Sequence, residues 1–332
     1  MIKILEPLEI KGLIINNRII FQSMALGMAD EKGLVTENIK DYYSNFAKMP
    51  LGAIILEHHY INISGKDSIG QLAIDSDECI KGLSEIANTI HKNGIACGVQ
   101  INHSGSLTNS SITGVKIIGP SSILHPKGTE IPKEMSTVEI NNIKKDFRKA
   151  AMRVKKAGFD FVEINGCHGY LLNQFISPLT NARLDEYGGI RANRIKLPIE
   201  IVKEIREEVG EDFLIFYRIA ADDNMENGIT IDDAKYLAVK LVDAGIDVLN
   251  VSQGLSGSKP AINQQGFFVH LAEGIKSVVS IPVITAGGIS DAIFAHQVIK
   301  DGKADIVGVG RAILEDDNWV RKAIQQLRSL KE

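Results

Sequence analysis

One short segment contains three side chains that together could bind and protonate a substrate. Asn165, His168 and Tyr170 lie within six residues, directly after an apolar run. An amide and an imidazole can both donate hydrogen bonds to an oxygen that gains negative charge, and a phenol can give up a proton. A hydrogen-bonded structural loop is the alternative. A metal site is not predicted, because the segment offers one imidazole and no carboxylate.

Two glycine-rich turns near the end of the chain have the form of a phosphate site. Gly287 and Gly288 precede a helical pattern, and Gly310 and Arg311 close the last apolar run. Glycine lets backbone N–H groups approach an anion, a helix start favours negative charge, and arginine adds a fixed cation. Each turn alone could be an ordinary glycine turn. On adjacent final strands, the two together predict that a phosphate is bound.

Arg218 is a charged residue inside the apolar run of residues 216–220. A guanidinium that enters a folded interior needs a partner. One interpretation is a buried ion pair with Glu163 or Glu57. The other is stabilisation of an anionic cofactor edge. This second interpretation is favoured if the glycine turns bind a ligand that carries a phosphate.

The elements that position these residues repeat along the chain. Four units start at Gly52, Gly158, Gly245 and Gly302, where glycine is predicted to end a helix and an apolar strand follows. Further strands are predicted at residues 18–22, 95–102, 213–219 and 282–285, and helices at 80–92, 140–156, 195–209, 231–243 and 292–300. Ser290 is predicted to cap the last of these helices.

Eight strands alternating with helices predict an α/β fold, a single-domain (β/α)8 TIM barrel over residues 1–332. An open doubly wound sheet is the alternative. It is disfavoured because the first strand–helix turn lacks a GxGxxG pattern. A lid or substrate loop is predicted around residues 104–137, where glycine and proline punctuate a long connection.

Composition limits the partners and the compartment. With 332 residues, a net charge of −4 and no long apolar run, the chain gives no reason to expect nucleic acid or a membrane as partner. The beginning of the chain does not read as a signal peptide. Three widely spaced cysteines without a CxxC motif argue against disulfides and metal clusters. We therefore expect a cytoplasmic protein that acts on a small molecule.

From Leu5 to about Lys322 the chain resembles the old yellow enzyme family of FMN-dependent oxidoreductases. The resemblance is carried most specifically by residues 158–175, by residues 177–189 and by Asn193-Arg194. It implies cofactor contacts from ten positions, which are Ser23, Met24, Ala25, His58, Gln100, Arg218, Gly287, Gly288, Gly310 and Arg311. It also implies that Gln100 bonds the pyrimidine edge of FMN and that Arg218 stabilises the anionic reduced ring.

The same resemblance implies a reaction. NADH or NADPH would reduce FMN, and hydride would then pass to the β carbon of an activated alkene, as in an ene-reductase. Asn165 and His168 would hold the carbonyl oxygen, and Tyr170 would protonate the α carbon. The alternatives are a demethylase-like or dienoyl-reductase-like reaction on the same fold, or a flavin-holding protein without its own reaction. A phosphate-binding aldolase or isomerase without flavin is less favoured, since no Schiff-base lysine ends a strand.

The sequence also departs from the family pattern. Asn165-x-x-His168 stands where many members carry His-x-x-His or His-x-x-Asn, so two donors are kept in a different arrangement. Other departures are Ser23, Ala25, Gly27, His58 and Ser106, which leave the natural substrate open. The chain ends soon after Trp319, before any cysteine-rich iron–sulfur region, so the single-domain branch is expected. Barrels of this kind often pair, which makes a homo-oligomer an expectation too.

Overall fold

Eight parallel strands close into a barrel in the computed structural model, which describes residues 2–257 and 264–330. The strands are β1 (Leu8–Ile10), β2 (Leu13–Ile15), β3 (Ile19–Phe21), β4 (Ala53–Tyr60), β5 (Ala96–Asn102), β6 (Ile118–Gly119), β7 (Lys133–Glu134), β8 (Phe161–Gly166), β9 (Leu214–Ala220), β10 (Val248–Ser252), β11 (Val283–Ala286) and β12 (Ile306–Val309). The barrel consists of β3, β4, β5 and β8–β12, and each strand pairs with the next one in the chain until β12 closes on β3. The predicted TIM barrel is confirmed.

Helices lie between consecutive barrel strands and pack on the outside of the barrel. The helices are α1 (Glu37–Phe46), α2 (Cys79–His91), α3 (Ser110–Thr113), α4 (Thr137–Lys156), α5 (Leu171–Ile176), α6 (Arg191–Arg194), α7 (Lys196–Val209), α8 (Ile231–Asp243), α9 (Val269–Lys276), α10 (Ala292–Lys300), α11 (Arg311–Glu315) and α12 (Trp319–Ser329). Their apolar faces and the outward faces of the strands form one large core. None of the described helices is long and apolar enough to cross a membrane.

The half of the barrel interior at the amino-terminal ends of the strands is filled by apolar side chains. The rings of Phe161 and Phe216 stack there with centroids 4.1 Å apart, and a Cβ on Gly98 would lie 2.2 Å from the Phe161 ring. The hairpin of β1 and β2 adds Ile10 and Ile15 to this layer and closes the amino-terminal end of the barrel. Because this end is packed, chemistry is confined to the carboxyl ends of the strands.

Three aspartates that immediately precede strands tie the barrel together at the amino-terminal end. The carboxylates of Asp160, Asp247 and Asp305 accept the backbone N–H groups of Cys97, Ile215 and Val283 at 2.8–2.9 Å and contact His91, Arg206 and Lys276 at 2.5–2.8 Å. His91, Cys97 and Asp160 also bring three potential metal-ligand atoms within 4.8 Å of one another. Asp247 and Asp305 form ion pairs at the equivalent position of their own units. We therefore assign the His91–Asp160 contact the same structural role.

Two local predictions differ from the structure. Gly158, Gly245 and Gly302 have positive φ, as predicted, but Gly52 does not. Gly52 is needed for close approach instead, because a Cβ there would lie 2.0 Å from the carbonyl oxygen of Asn17. The cap of α10 is Asp291, whose carboxylate accepts the N–H of Phe294 at 2.6 Å, and not Ser290.

The segment predicted as a lid, residues 104–137, forms a structured excursion outside the barrel. It contains α3 and the small sheet of β6 and β7. Arg183 fastens it, since its Nη1 donates to the carbonyl oxygens of Pro120 at 2.9 Å and Met135 at 2.6 Å. Lys127 also donates to the carbonyl oxygen of Ser256, beyond β10. A lid role for this excursion stays a prediction.

Glu57 is a buried acid on β4 that makes stability depend on pH. Its carboxylate accepts the N–H of Leu26 at 3.0 Å, and burial raises its pKa from 4.5 to about 7. Because the pKa is raised in the folded protein, protonation of Glu57 favours the folded state. The stability that this gives is fully present below about pH 4.5 and is lost as the pH rises through about 7. We expect Glu57→Gln to raise the free energy of unfolding at pH 8 by about 2 kcal/mol and to change it little at pH 4.5.

Denaturant unfolding at both pH values measures this effect. Exposed Glu207 is the matched control, and Glu207→Gln is expected to leave the pH dependence as in the wild type. An equal pH dependence in Glu57→Gln and the wild type would contradict the assignment.

Candidate active site

A cavity of about 620 Å³ opens at the carboxyl ends of the barrel strands. All thirteen predicted catalytic and cofactor-binding residues line it, namely Ser23, Met24, Ala25, His58, Gln100, Asn165, His168, Tyr170, Arg218, Gly287, Gly288, Gly310 and Arg311. The structure adds lining residues that the sequence did not single out, among them Gln22, Gln264, Gln265 and Glu315. The candidate catalytic and cofactor-binding residues therefore share one cavity.

A buried hydrogen-bond network forms the floor of this cavity. Glu163, which is fully buried, accepts bonds from Gln100 and Asn250, each at 2.6 Å. Asn250 also donates to Gln22 at 3.0 Å, and Gln100 accepts from Asn165 at 2.9 Å. Since each of these amides is anchored by another side chain, the network fixes the positions of Gln100 and Asn165. Sequence reading missed Asn250 and Gln22, although alternation along the strands places them on the inner face.

Arg218 lies in β9 directly beside this floor. It is 8% exposed, and its Nε has no hydrogen-bond partner in the described part of the chain. The described residues place no carboxylate within 4.0 Å of its guanidinium, so the alternative interpretation, an ion pair with Glu163 or Glu57, is not formed. Burial raises the pKa of Glu163, whereas the Arg218 charge acts to lower it. A buried cation with unused donors is suited to an anionic ligand in the cavity.

His58 reaches the cavity through a β-bulge in β4. The register against β5 shifts between Leu56 and His58, so His58 pairs with Gln100 and both side chains line the cavity. Without the extra residue, strict alternation from the inward-facing Ile55 would point Glu57 inward instead. His59 is fully buried and its Nδ1 lies 2.7 Å from the Glu57 carbonyl oxygen. His58 thus lines the site, whereas His59 packs in the interior.

His168 is held as a neutral imidazole at the cavity wall. Its backbone has φ of 59°, a strained value for a non-glycine residue, and its N–H donates to the carbonyl oxygen of Gln253 at 3.0 Å. Its Nε2 lies 2.6 Å from Oγ of Ser252. Burial lowers the pKa of His168 well below its usual value, and the nearby Arg218 charge adds to this. A neutral ring with Nε2 engaged by Ser252 leaves Nδ1 for a ligand.

Tyr170 remains a phenol at any pH near neutral. Burial raises the pKa of its hydroxyl well above the usual value, and the Asp67 carboxylate raises it further. Its ring lies 5.6 Å from the His58 ring and 6.4 Å from the His168 ring, measured between centroids. A hydroxyl that stays protonated next to two neutral hydrogen-bond donors can give its proton to a substrate carbon that gains negative charge.

The glycine turns are packed too closely against neighbouring residues to carry side chains. Gly287 and Gly288 have φ of 97° and 69°, and a Cβ on Gly288 would lie 2.5 Å from the carbonyl oxygen of Gln264. A Cβ on Gly310 would lie 2.8 Å from the sulfur of Met24. This bare backbone beside Arg311 suits a phosphate, while Arg218 suits an anionic ring edge in the same cavity. The residues present therefore fit FMN.

Gly288→Ala is expected to weaken FMN binding at least about tenfold, because the methyl group displaces Gln264 from the cavity wall and blocks backbone contact with the phosphate. Fluorescence titration of FMN into the stripped protein measures this. Gly302→Ala is the matched control, since Gly302 has a similar φ of 72° and nothing within 4 Å of a Cβ. Equal FMN affinity in the two variants would contradict a role for Gly288 in binding the phosphate.

A parallel barrel with a glycine cradle and a buried arginine at its carboxyl ends defines a class of FMN-binding oxidoreductases. A sequence profile of the NADH:flavin oxidoreductase / NADH oxidase family matches residues 3–329, and the chain belongs to this family. It is an NAD(P)H-dependent flavin oxidoreductase of the old yellow enzyme type, with FMN as cofactor.

Individual relatives agree with this membership. The chain is 42% identical over 323 residues to an NADH oxidase from Thermoanaerobacter brockii, and it spans 50% of that protein's length. It is 35% identical over 323 residues to an NADPH dehydrogenase from a Geobacillus strain, with 97% of this chain and 94% of the relative covered. The fold is similar to that of an old yellow enzyme homologue from Zymomonas mobilis, with a TM-score of 0.86, 24% identity, and 98% and 93% of the two chains covered.

Proposed function

We propose that the protein reduces activated alkenes with hydride taken from NADH or NADPH. The observation that carries this proposal is the grouping of a neutral donor pair, Asn165 and His168, with protonated Tyr170 in the cavity that fits FMN. When bound, FMN supplies hydride transfer between the nicotinamide and the alkene. Arg218 lies beside the network that holds Glu163, and its positive charge acts to lower the pKa of that carboxyl.

The protein side chains have separate roles in this proposal. Asn165 and His168 bind the carbonyl oxygen of the substrate and stabilise the negative charge that develops on it. Because both groups are neutral, they can hydrogen-bond to the uncharged carbonyl of the bound substrate without placing a full charge beside it. Tyr170 gives its hydroxyl proton to the α carbon, and its raised pKa keeps that proton available near neutral pH. Met24, Ala25 and Gly310 confine the cofactor-binding part of the cavity.

An anaerobic experiment tests the proposal directly. The purified protein is loaded with FMN, and NADH and NADPH are added separately while the flavin absorbance is followed. Enones, nitroalkenes and maleimides are then offered to the reduced protein. Reoxidation of the flavin with formation of the saturated product is the expected result. No reduction by either nicotinamide would contradict the proposal.

A different redox reaction on the same cofactor is the second candidate. His58, placed in the cavity wall by the β-bulge, favours it, because this side chain narrows the space beside Tyr170. Flavin reduction by a nicotinamide without turnover of any alkene would select it over alkene reduction. A cytoplasmic location and a homo-oligomeric state stay predictions from sequence.

A further inference from the structure

Asp67 carries a carboxylate beside His58 and Tyr170, two residues that line the cavity. Its Oδ2 lies 3.5 Å from Nε2 of His58, and its side chain is 25% exposed. Buried Gln71 holds it in place, since Gln71 accepts the N–H of Asp67 at 2.6 Å and donates to the carbonyl oxygen of His58 at 3.2 Å. The backbone of Asp67 is therefore fixed, and its carboxylate lies next to His58, which lines the cavity.

The charges around the cavity are divided between its two walls. Around His168 they are positive, because the charges of Arg218 and Lys127 both act on its ring. Around Tyr170 the Asp67 carboxylate is negative and close enough to raise the pKa of the Tyr170 hydroxyl. Among the described residues no lysine or arginine lies within 4.0 Å of this carboxylate, and the His58 imidazole is the one basic side chain at that range. The mechanism proposed above uses Tyr170 as a proton donor and gives the Asp67 carboxylate no role.

We infer that Asp67 determines substrate specificity: the preferred alkene carries its carbonyl at one end and a positive charge or hydrogen-bond donors at the other. The carbonyl end binds Asn165 and His168, and the far end lies near Asp67. A substrate with a carboxylate at the far end is disfavoured by repulsion from Asp67. This inference rests on the proposed alkene reduction and assigns its substrate class.

A matched set of cinnamaldehydes tests this inference. 4-(Trimethylammonio)cinnamaldehyde, cinnamaldehyde and 4-carboxycinnamaldehyde share one reacting alkene and differ in the charge at the far end. With the FMN-loaded protein, kcat/KM for the cation is expected to exceed that for the carboxylate by about tenfold or more, mainly through KM. Asp67→Asn is expected to bring the two values within about threefold of each other, and Asp67→Glu to restore the preference.

A matched control and two further measurements separate failure of the Asp67 role from failure of the proposed function. Asp41 is an exposed aspartate on α1, and Asp41→Asn is expected to keep the wild-type preference. FMN content and the rate of flavin reduction by NADPH are measured for every variant, because a folding defect would lower both. If no cinnamaldehyde is reduced, the proposed function fails. If all are reduced with the same charge preference in Asp67→Asn as in the wild type, the role of Asp67 is overturned and alkene reduction stands.

Discussion

Tyr170→Phe is expected to slow alkene reduction by about 10²–10³-fold while leaving the reduction of FMN by NADPH within about twofold of the wild type. The phenol is the one proton donor that the proposal assigns at the α carbon. Removing it leaves hydride transfer without a proton to complete the reaction. Flavin reduction by the nicotinamide needs no such proton, so the two half-reactions separate the proton donor from a residue that only shapes the cavity.

Single-turnover absorbance at the flavin band measures both half-reactions. Tyr217→Phe is the matched control, because Tyr217 is a fully buried phenol on neighbouring β9 whose hydroxyl has no hydrogen-bond partner in the described part of the chain. It is expected to behave as the wild type in both steps. Since the pKa of Tyr170 lies well above its usual range, the wild-type oxidative rate should show no loss from Tyr170 ionisation between pH 6 and about pH 9. An unchanged alkene rate in Tyr170→Phe would remove Tyr170 from the reaction.

Arg218→Met is expected to slow the reduction of FMN by NADPH about 10²–10³-fold, because a methionine of similar length offers no positive charge to the ring. The guanidinium is buried beside the floor network and has a free Nε among the described contacts. Removing it also raises the pKa of Glu163 further, since the Arg218 charge now acts to lower it. Flavin reduction kinetics and FMN affinity, measured on the same preparations, check the expectation.

Arg206 provides a control for the loss of a buried arginine. It is 7% exposed and paired with Asp247 at the opposite end of the barrel. Arg206→Met is expected to lower the melting temperature and to leave the flavin reduction rate of the folded protein unchanged. Arg218→Lys should recover part of the rate, because it restores the charge without the planar donors. A normal rate in Arg218→Met would mean that the anionic ring is stabilised by other groups.

The fold and most of the site residues could be predicted from sequence, for an identifiable reason. Eight apolar runs alternate with helical patterns, and parallel strands in a closed barrel bring all their carboxyl ends to one side. Polar residues at the ends of those runs, such as Asn165 and Arg218, therefore had to meet. The family resemblance then assigned roles that spacing alone left open, and those roles remain to be tested by the variants above.

The local errors also have physical causes. Ser290 and Asp291 are both good caps, but the Ser290 hydroxyl accepts a hydrogen bond from Gln265, and Asp291 caps α10. Gly52 follows the same pattern as Gly158, yet its role is close approach to Asn17, a residue distant in sequence. Sequence pattern cannot separate these cases, because it records residue types and not which distant backbone lies against them.

The sequence by itself determined the barrel, its cofactor end and the polar residues that close each strand, because these depend on local periodicity and on glycine and arginine chemistry. Only the tertiary structure decided what those residues do to one another. The bulge at Glu57 turned His58 into the cavity, Glu163 was paired with two amides and not with Arg218, and Asp67 came to face Tyr170. Each of these depends on contacts between distant segments in a buried, low-dielectric space, where a neighbour a few ångströms away sets charge and pKa.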